Sequence, residues 1–298
     1  MKNPYRYAVI VLAAVAMVSC SGVSELASTE PQDTTKVAAY EDLTSGGALL
    51  SAFYGLDDAI PFIASYRICG ELGHDDGMPV IFSTELDMTT VQAGDFLVTL
   101  ADGRQVVPGC VTPAPAQDVG ELRTMLMIGD FGSVSNQPVS VEIIGNTISI
   151  DHRTNFKGQS VAVTPLEAGP SLIHAELVGE EQWELGKEPS ALRFGGGSGC
   201  PANTQQIVRA VWMGGVTKPG GDEIDDTERQ AYSVIVEDAD GATETVTPFA
   251  VADLGDGDNN HKLCLDVAAK PIAVEFPAGL MTDPRDDPNP ATSVRLSN

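Results

Sequence analysis

Asp95-Phe96-Leu97-Val98-Thr99-Leu100-Ala101-Asp102-Gly103 is the stretch that decides the fold. Phe96, Val98 and Leu100 recur at every second position, which lines one face of a β-strand. The run ends in Asp-Gly, a pair suited to the left-handed backbone of a tight hairpin turn. Further along stand Val106-Val107 and Val111-Thr112-Pro113, then a polar loop and the apolar residues 125–128. Pro138 then introduces Val139, Val141 and Ile143, alternating again. The second half repeats this order. Tyr232, Val234 and Val236 alternate, Asp240-Gly241 follows, then Val246-Thr247-Pro248, Leu263-Cys264-Leu265, and Pro271 ahead of Ile272, Val274 and Phe276. The shared succession of strand, Asp-Gly turn, strand, Val-Thr-Pro, loop, strand, Pro and strand predicts an internal duplication.

Thirty glycines and 19 prolines among many short apolar runs argue for an all-β chain of antiparallel sandwiches. The expected organisation is a signal peptide over residues 1–19, a lipidated tether over 20–40, a first β-sandwich domain over 41–190 and a second over 191–298. Residues 147–150, 160–163 and 172–177 are further strand-like runs that complete the first sandwich or bridge the two. A short helix is expected within residues 41–56. Residues 180–189, with Gly195-Gly196-Gly197-Ser198-Gly199, read as a linker.

The amino terminus reads as a targeting segment. Lys2 and Arg6 precede an uncharged apolar run over residues 7–17. That run is too short for a membrane span, which takes about 20 apolar residues. It leads into Met17-Val18-Ser19-Cys20, which resembles the lipobox of bacterial lipoproteins, with Met17 where Leu is usual. The resemblance implies cleavage before Cys20 and acylation of its amino terminus. Several acyl chains would hold the body stably at a membrane of the cell envelope. The alternative is an ordinary signal peptide cut elsewhere. Without Cys20, four cysteines remain: Cys69, Cys110, Cys200 and Cys264. An even set in an exported chain suits disulfides. Pairing Cys69 with Cys110 and Cys200 with Cys264 keeps each bridge within one half, and it is the favoured one of the possible pairings.

A second resemblance covers residues 75–145. Pro79-Val80-Ile81-Phe82-Ser83-Thr84-Glu85-Leu86-Asp87, then Thr90-Val91, then Phe96-Leu97-Val98 and Asp102-Gly103, is similar to the opening of bacterial Ig-like domains of cell-surface proteins. The second half departs from it, because no Phe-Ser pair stands in Ala210-Val211-Trp212-Met213-Gly214-Gly215. The resemblance implies two Ig-like sandwiches used as spacer, adhesive or ligand-binding modules, and it implies no catalytic residue.

The formal net charge is −25, and removal of Lys2 and Arg6 with the signal peptide takes it to −27. Such a body repels nucleic acid, so the charge argues against nucleic-acid binding as a function. The carboxylates serve either solubility or the binding of cations. The densest run is Asp253-Leu254-Gly255-Asp256-Gly257-Asp258-Asn259-Asn260-His261. Asp253, Asp256, Asp258 and Asn260 offer the oxygen ligands that Ca²⁺ takes from a tightly turning loop. The alternative is a solvated turn. The run is no EF-hand, since His261 replaces the required Gly and Val267 the bidentate Glu. Two more acidic loops, residues 222–228 and 283–289, would join it if all three lie at one end of a sandwich.

Other constellations are weaker. His74-Asp75-Asp76 with Glu85 and Asp87 places an imidazole near carboxylates. His152 and His174 read as structural. Gly196-Gly197-Ser198-Gly199-Cys200 misses the G-x-S-x-G nucleophile motif at its last position. Trp183 and Trp212 read as core packing or as a carbohydrate platform. The sequence contains no H-E-x-x-H and no P-loop motif. These residues predict a surface-anchored, extracytoplasmic lipoprotein acting as a binding or structural Ig-like module, with no cofactor fixed by the sequence and Ca²⁺ as the candidate its carboxylate loops could hold. Its partners would be the membrane, through the lipid, and an envelope or extracellular ligand. The alternative is an extracytoplasmic metal-assisted hydrolase built around His74 or His261.

Overall fold

The computed structural model describes residues 43, 46–60, 66, 69–70, 75–191 and 196–297. The signal peptide, Cys20, the tether and His74 lie outside them. The described chain is almost entirely β. The first eight strands are β1 (Leu49–Phe53), β2 (Asp76–Phe82), β3 (Phe96–Leu100), β4 (Gln105–Val106), β5 (Cys110–Thr112), β6 (Thr124–Gly129), β7 (Pro138–Ile143) and β8 (Ser160–Thr164). The next eight are β9 (Leu172–Leu177), β10 (Gln206–Trp212), β11 (Ser233–Glu237), β12 (Thr243–Val246), β13 (Ala250–Ala252), β14 (Asn260–Leu265), β15 (Lys270–Phe276) and β16 (Thr292–Ser297). A short helix, α1 (Asp226–Ala231), lies between β10 and β11.

The strand order is β4-β3-β7-β8-β1-β2-β6-β5 in the first sheet and β12-β11-β15-β16-β9-β10-β14-β13 in the second. Each strand of one sheet has its counterpart at the same place in the other, so the predicted duplication holds at the level of topology. Pairing is antiparallel except between β1 and β8 and between β9 and β16, which are themselves counterparts. At that parallel join each sheet folds over, and its two halves face each other as the layers of a sandwich. Met78, Val80, Phe82, Met125 and Met127 from one layer meet Phe96, Val98, Leu100, Val141 and Ile143 from the other. In the second sandwich Val208, Ala210, Trp212, Leu263 and Leu265 meet Val234, Val236, Val274 and Phe276.

The predicted hairpins close where the Asp-Gly pairs stand. Gly103 has φ 85° and Gly241 φ 81°, values that a side chain strains and glycine does not. The repeat alignment needs one correction. Val98 pairs with Val106 as Val234 pairs with Val246. The counterpart of Val246-Thr247-Pro248 is therefore Val106-Val107-Pro108, not Val111-Thr112-Pro113. Val111 and Thr112 belong to β5, whose counterpart is β13.

Two expectations from sequence give way. Residues 49–53 form a strand rather than part of a helix. Leu172–Leu177 joins the second sheet, between β16 and β10, so the change of sheet falls between Thr164 and Leu172 rather than at residue 190. Both are inner strands, β1 with the burial of a segment covered on both faces, so neither shows the alternation of a half-exposed strand. Cys69 is bonded to Cys110 and Cys200 to Cys264, as favoured from sequence. Cys110 lies opposite Ile128 on β6, and Cys264 opposite Ala250 on β13. The two bridges therefore start from the same cross-strand pair but from opposite strands.

Candidate functional site

The second sandwich presents an unusual strand in β10. One face, with Val208, Ala210 and Trp212, enters the sandwich core. The other carries Ile207, Arg209 and Val211, all fully buried. Arg209 donates to the carbonyls of Val119 at 2.7 Å and Gly120 at 2.8 Å, in the β5–β6 loop of the first sandwich. It also donates to Glu176 on β9 at 2.8 Å. Arg123, just ahead of β6, reaches the same carboxylate at 2.6 Å and the Ser83 carbonyl at 2.9 Å. Asn259 donates across to Thr124 at 3.2 Å. The sandwiches thus meet through a buried, charged and hydrogen-bonded seam. Burial opposes the charge on Glu176, but hydrogen bonding with His174 and the charges of Arg123 and Arg209 prevail and take its pKa from 4.5 down to about 2.

At one end of this seam the loops β5–β6 and β13–β14 meet. They are counterparts in the two repeats. From the second come Asp253, Asp256 and Asp258, all buried, and the fully buried Asn260. Asp253 turns the chain with φ 67°, a left-handed conformation that Asp tolerates better than most residues. One of its oxygens accepts from Lys262 at 3.1 Å, and both side chains are fully buried. Its Oδ2 has no partner within the protein, nor has Oδ2 of Asp256 or Oδ1 of Asn260. Asp258 is satisfied differently: its two oxygens accept from the backbone and side-chain nitrogens of Asn260, each at 2.8 Å.

The first sandwich contributes Asp118 and Glu121. Glu121 is fully buried. Its Oε2 accepts from the Asp118 backbone nitrogen at 2.9 Å, while Oε1 has no partner. Asp118 accepts from Lys187 and from the Gly197 nitrogen, each at 3.0 Å. Carboxylate oxygens of Asp118, Glu121 and Asp253 all lie within 4.8 Å of one another. Burial, followed by the charges of Asp258 and Asp253, raises the Glu121 pKa well above the usual carboxylate range. Burial and the charges of Asp256 and Asp253 do the same to Asp258. Asp256 rises to about 6, through burial first and Asp253 second.

The four residues expected from sequence therefore share one cluster, but they do not form the tightest oxygen set. Only Asp253 belongs to that set, with Asp118 and Glu121 beside it. Asp118-Val119-Gly120-Glu121 looks like any polar turn, so no local pattern marks it. The one signal was the repeat itself, because counterpart loops of two facing repeats can meet. The Gly-rich run is not a free linker. Ser198 exchanges backbone hydrogen bonds with Asp253 at 2.8 Å and Leu254 at 3.1 Å. A methyl group on Gly197 would stand 2.7 Å from Asp256 Oδ2, so only glycine fits there.

The three acidic loops do converge. Asp222, Glu223, Asp256, Asp283 and Asp286 line a cleft of about 690 Å³ at one end of the second sandwich. His261 does not serve as a base there. It is 3% exposed, shares a 2.7 Å hydrogen bond with the Tyr232 hydroxyl in the core, and burial lowers its pKa to about 4. Trp212 donates to that same hydroxyl at 2.8 Å and packs edge-on against Phe276. Its role is core packing rather than a carbohydrate platform. His174 lies within the seam, 2.9 Å from Arg123. Exposed His152 contacts Asp87 at 2.9 Å.

No protein-family profile matches the chain, so the Ig-like and lipobox resemblances have no family match behind them. No curated protein matches it either. Four chains among solved structures match. One is the N-terminal part of the bacterial S-layer protein SbsC, at 11% identity and a TM-score of 0.28. That match covers 85% of this chain and 45% of the other, so the protein spans less than half of that structure.

Proposed function

We propose that the protein is an extracytoplasmic binding or structural module, held at a bacterial membrane by lipid on Cys20, whose two sandwiches act as one rigid body. The observation that carries this reading is the buried seam of Arg123, Glu176 and Arg209. Ion pairs of this kind lose several kcal/mol of hydration on burial, so both sandwiches must hold the partners in place together. Two disulfides suit a chain that matures in an oxidising compartment. The strong negative charge keeps such a body away from nucleic acid and anionic lipid surfaces. The hydrolase reading built on His261 loses its base, because that imidazole is committed to the core; His74, its other candidate, lies outside the described residues.

Two measurements test the proposal on the full chain expressed in a bacterial host. Metabolic labelling with a radioactive fatty acid should mark the wild type and leave Cys20→Ala unlabelled and released from the membrane fraction. Calorimetry in detergent should show one cooperative transition for both sandwiches. Two well-separated transitions at neutral pH and saturating Ca²⁺ would sink the rigid-body reading, and equal labelling of both chains would sink the anchor.

A further inference from the structure

We propose that the two sandwiches are clasped by one hard divalent cation, of Ca²⁺ chemistry, held by Asp118 and Glu121 of the first and Asp253 of the second, with Asp256 at its border. This deepens the rigid-module reading and rests on it. The argument begins with Glu121 and Asp253. Both are buried side chains from different sandwiches, and each has an oxygen without a partner in the protein. Those carboxylates stand within 4.8 Å of each other and of Asp118. Carboxylates that face each other either repel or share a proton, and both arrangements cost stability. Nearby positive charge answers only part of this. Lys262 satisfies the other oxygen of Asp253, Lys187 one oxygen of Asp118, and Arg209 is spent on carbonyls and Glu176.

The donor set selects the ion. Every free donor is oxygen, and three are carboxylate, which suits Ca²⁺ and not a soft or borderline metal. Among the described residues, Cys200 and Cys264 beside the cluster are bonded to each other and offer no thiol, and the imidazole of His261 is engaged by Tyr232. The third carboxylate also favours Ca²⁺ over Mg²⁺, which usually binds through one or two carboxylates and keeps its waters. Asp258 stays outside the set because Asn260 already occupies both its oxygens.

The experiment uses the full chain in detergent, stripped with EDTA and titrated with CaCl₂ by calorimetry, with Tb³⁺ luminescence as a second probe of stoichiometry. The expected result is one ion per chain and a rise in unfolding temperature with Ca²⁺. Glu121→Gln and Asp253→Asn should each weaken Ca²⁺ binding at least tenfold. In EDTA, Glu121→Gln should unfold no earlier than the wild type, because it removes the cost of facing carboxylates; a merely structural glutamate would give the opposite. Asp286→Asn, at the exposed mouth of the cleft, should bind as the wild type does. Absence of Ca²⁺ binding at millimolar concentration overturns the clasp. Undiminished binding in both Glu121→Gln and Asp253→Asn also overturns it, by confining the ion to the β13–β14 loop. Should one variant fail to fold, the other and the wild-type titration still decide. A chain that binds no Ca²⁺ yet unfolds in one transition keeps the rigid module and loses only the clasp.

Discussion

Asp76 shows how much a single buried carboxyl can control. It begins β2 almost fully buried, and its two oxygens accept from the backbone nitrogens of Asp58 at 2.8 Å and Phe131 at 2.6 Å. Burial outweighs these hydrogen bonds and raises its pKa from 3.8 to about 6. A raised pKa means that the folded state holds the proton more tightly than the unfolded chain. The stability linked to this proton is therefore full below pH 3.8 and is lost as pH rises through about 6. Asp76→Asn should flatten that slope between the two values. It should also lower overall stability by about 1–3 kcal/mol, because an amide NH₂ would face one of the two backbone N–H groups. Chemical denaturation of both chains across that pH range measures slope and offset together. Glu176 has the opposite sign. Its pKa falls from 4.5 to about 2, so its contribution is present above 4.5 and lost as pH falls toward 2.

At the scale of elements, legibility followed exposure. β3, β7, β11 and β15 alternate because one face meets the core and the other meets water or a layer edge, and their Asp-Gly hairpins and leading prolines are local signals. β1 and β9 were missed or misassigned because an inner strand with little exposure carries no period. The acidic loop was legible as composition, yet its decisive partners, Asp118 and Glu121, were not, since only tertiary structure brings two distant loops together. The cysteine pairing was legible because each bridge stays within one repeat. The Cys200–Cys264 bridge closes 64 residues and ties the segment that covers the acidic loop to β14. It packs with Val178, Ile207 and Ala252 in a small core of its own. Loop-closure entropy for that span is about 4 kcal/mol. The double substitution Cys200→Ala with Cys264→Ala should cost roughly 2–4 kcal/mol by denaturant titration. Addition of reductant to that variant should then produce only the loss due to Cys69–Cys110.

The whole molecule is two copies of one topology joined where counterpart loops and strands face each other, and Arg209 is the residue on which the join turns. Its guanidinium is fully buried and serves Glu176 and two carbonyls of the opposite sandwich at once. Arg209→Met keeps most of the side-chain volume but leaves both carbonyls unpaired and Glu176 with Arg123 as its remaining guanidinium partner. Removal of one partner from a buried ion pair costs about 3–5 kcal/mol. Neither sandwich core loses a contact, since Arg209 points away from the face that carries Val208 and Ala210. The loss should therefore fall on the seam, and calorimetry should resolve the single wild-type transition into two. Arg295→Met, at an exposed position of β16, should leave one transition at the wild-type temperature. If Arg209→Met instead lowers one undivided transition, the sandwiches depend on each other through more than this seam, and each would be unable to stand without its counterpart.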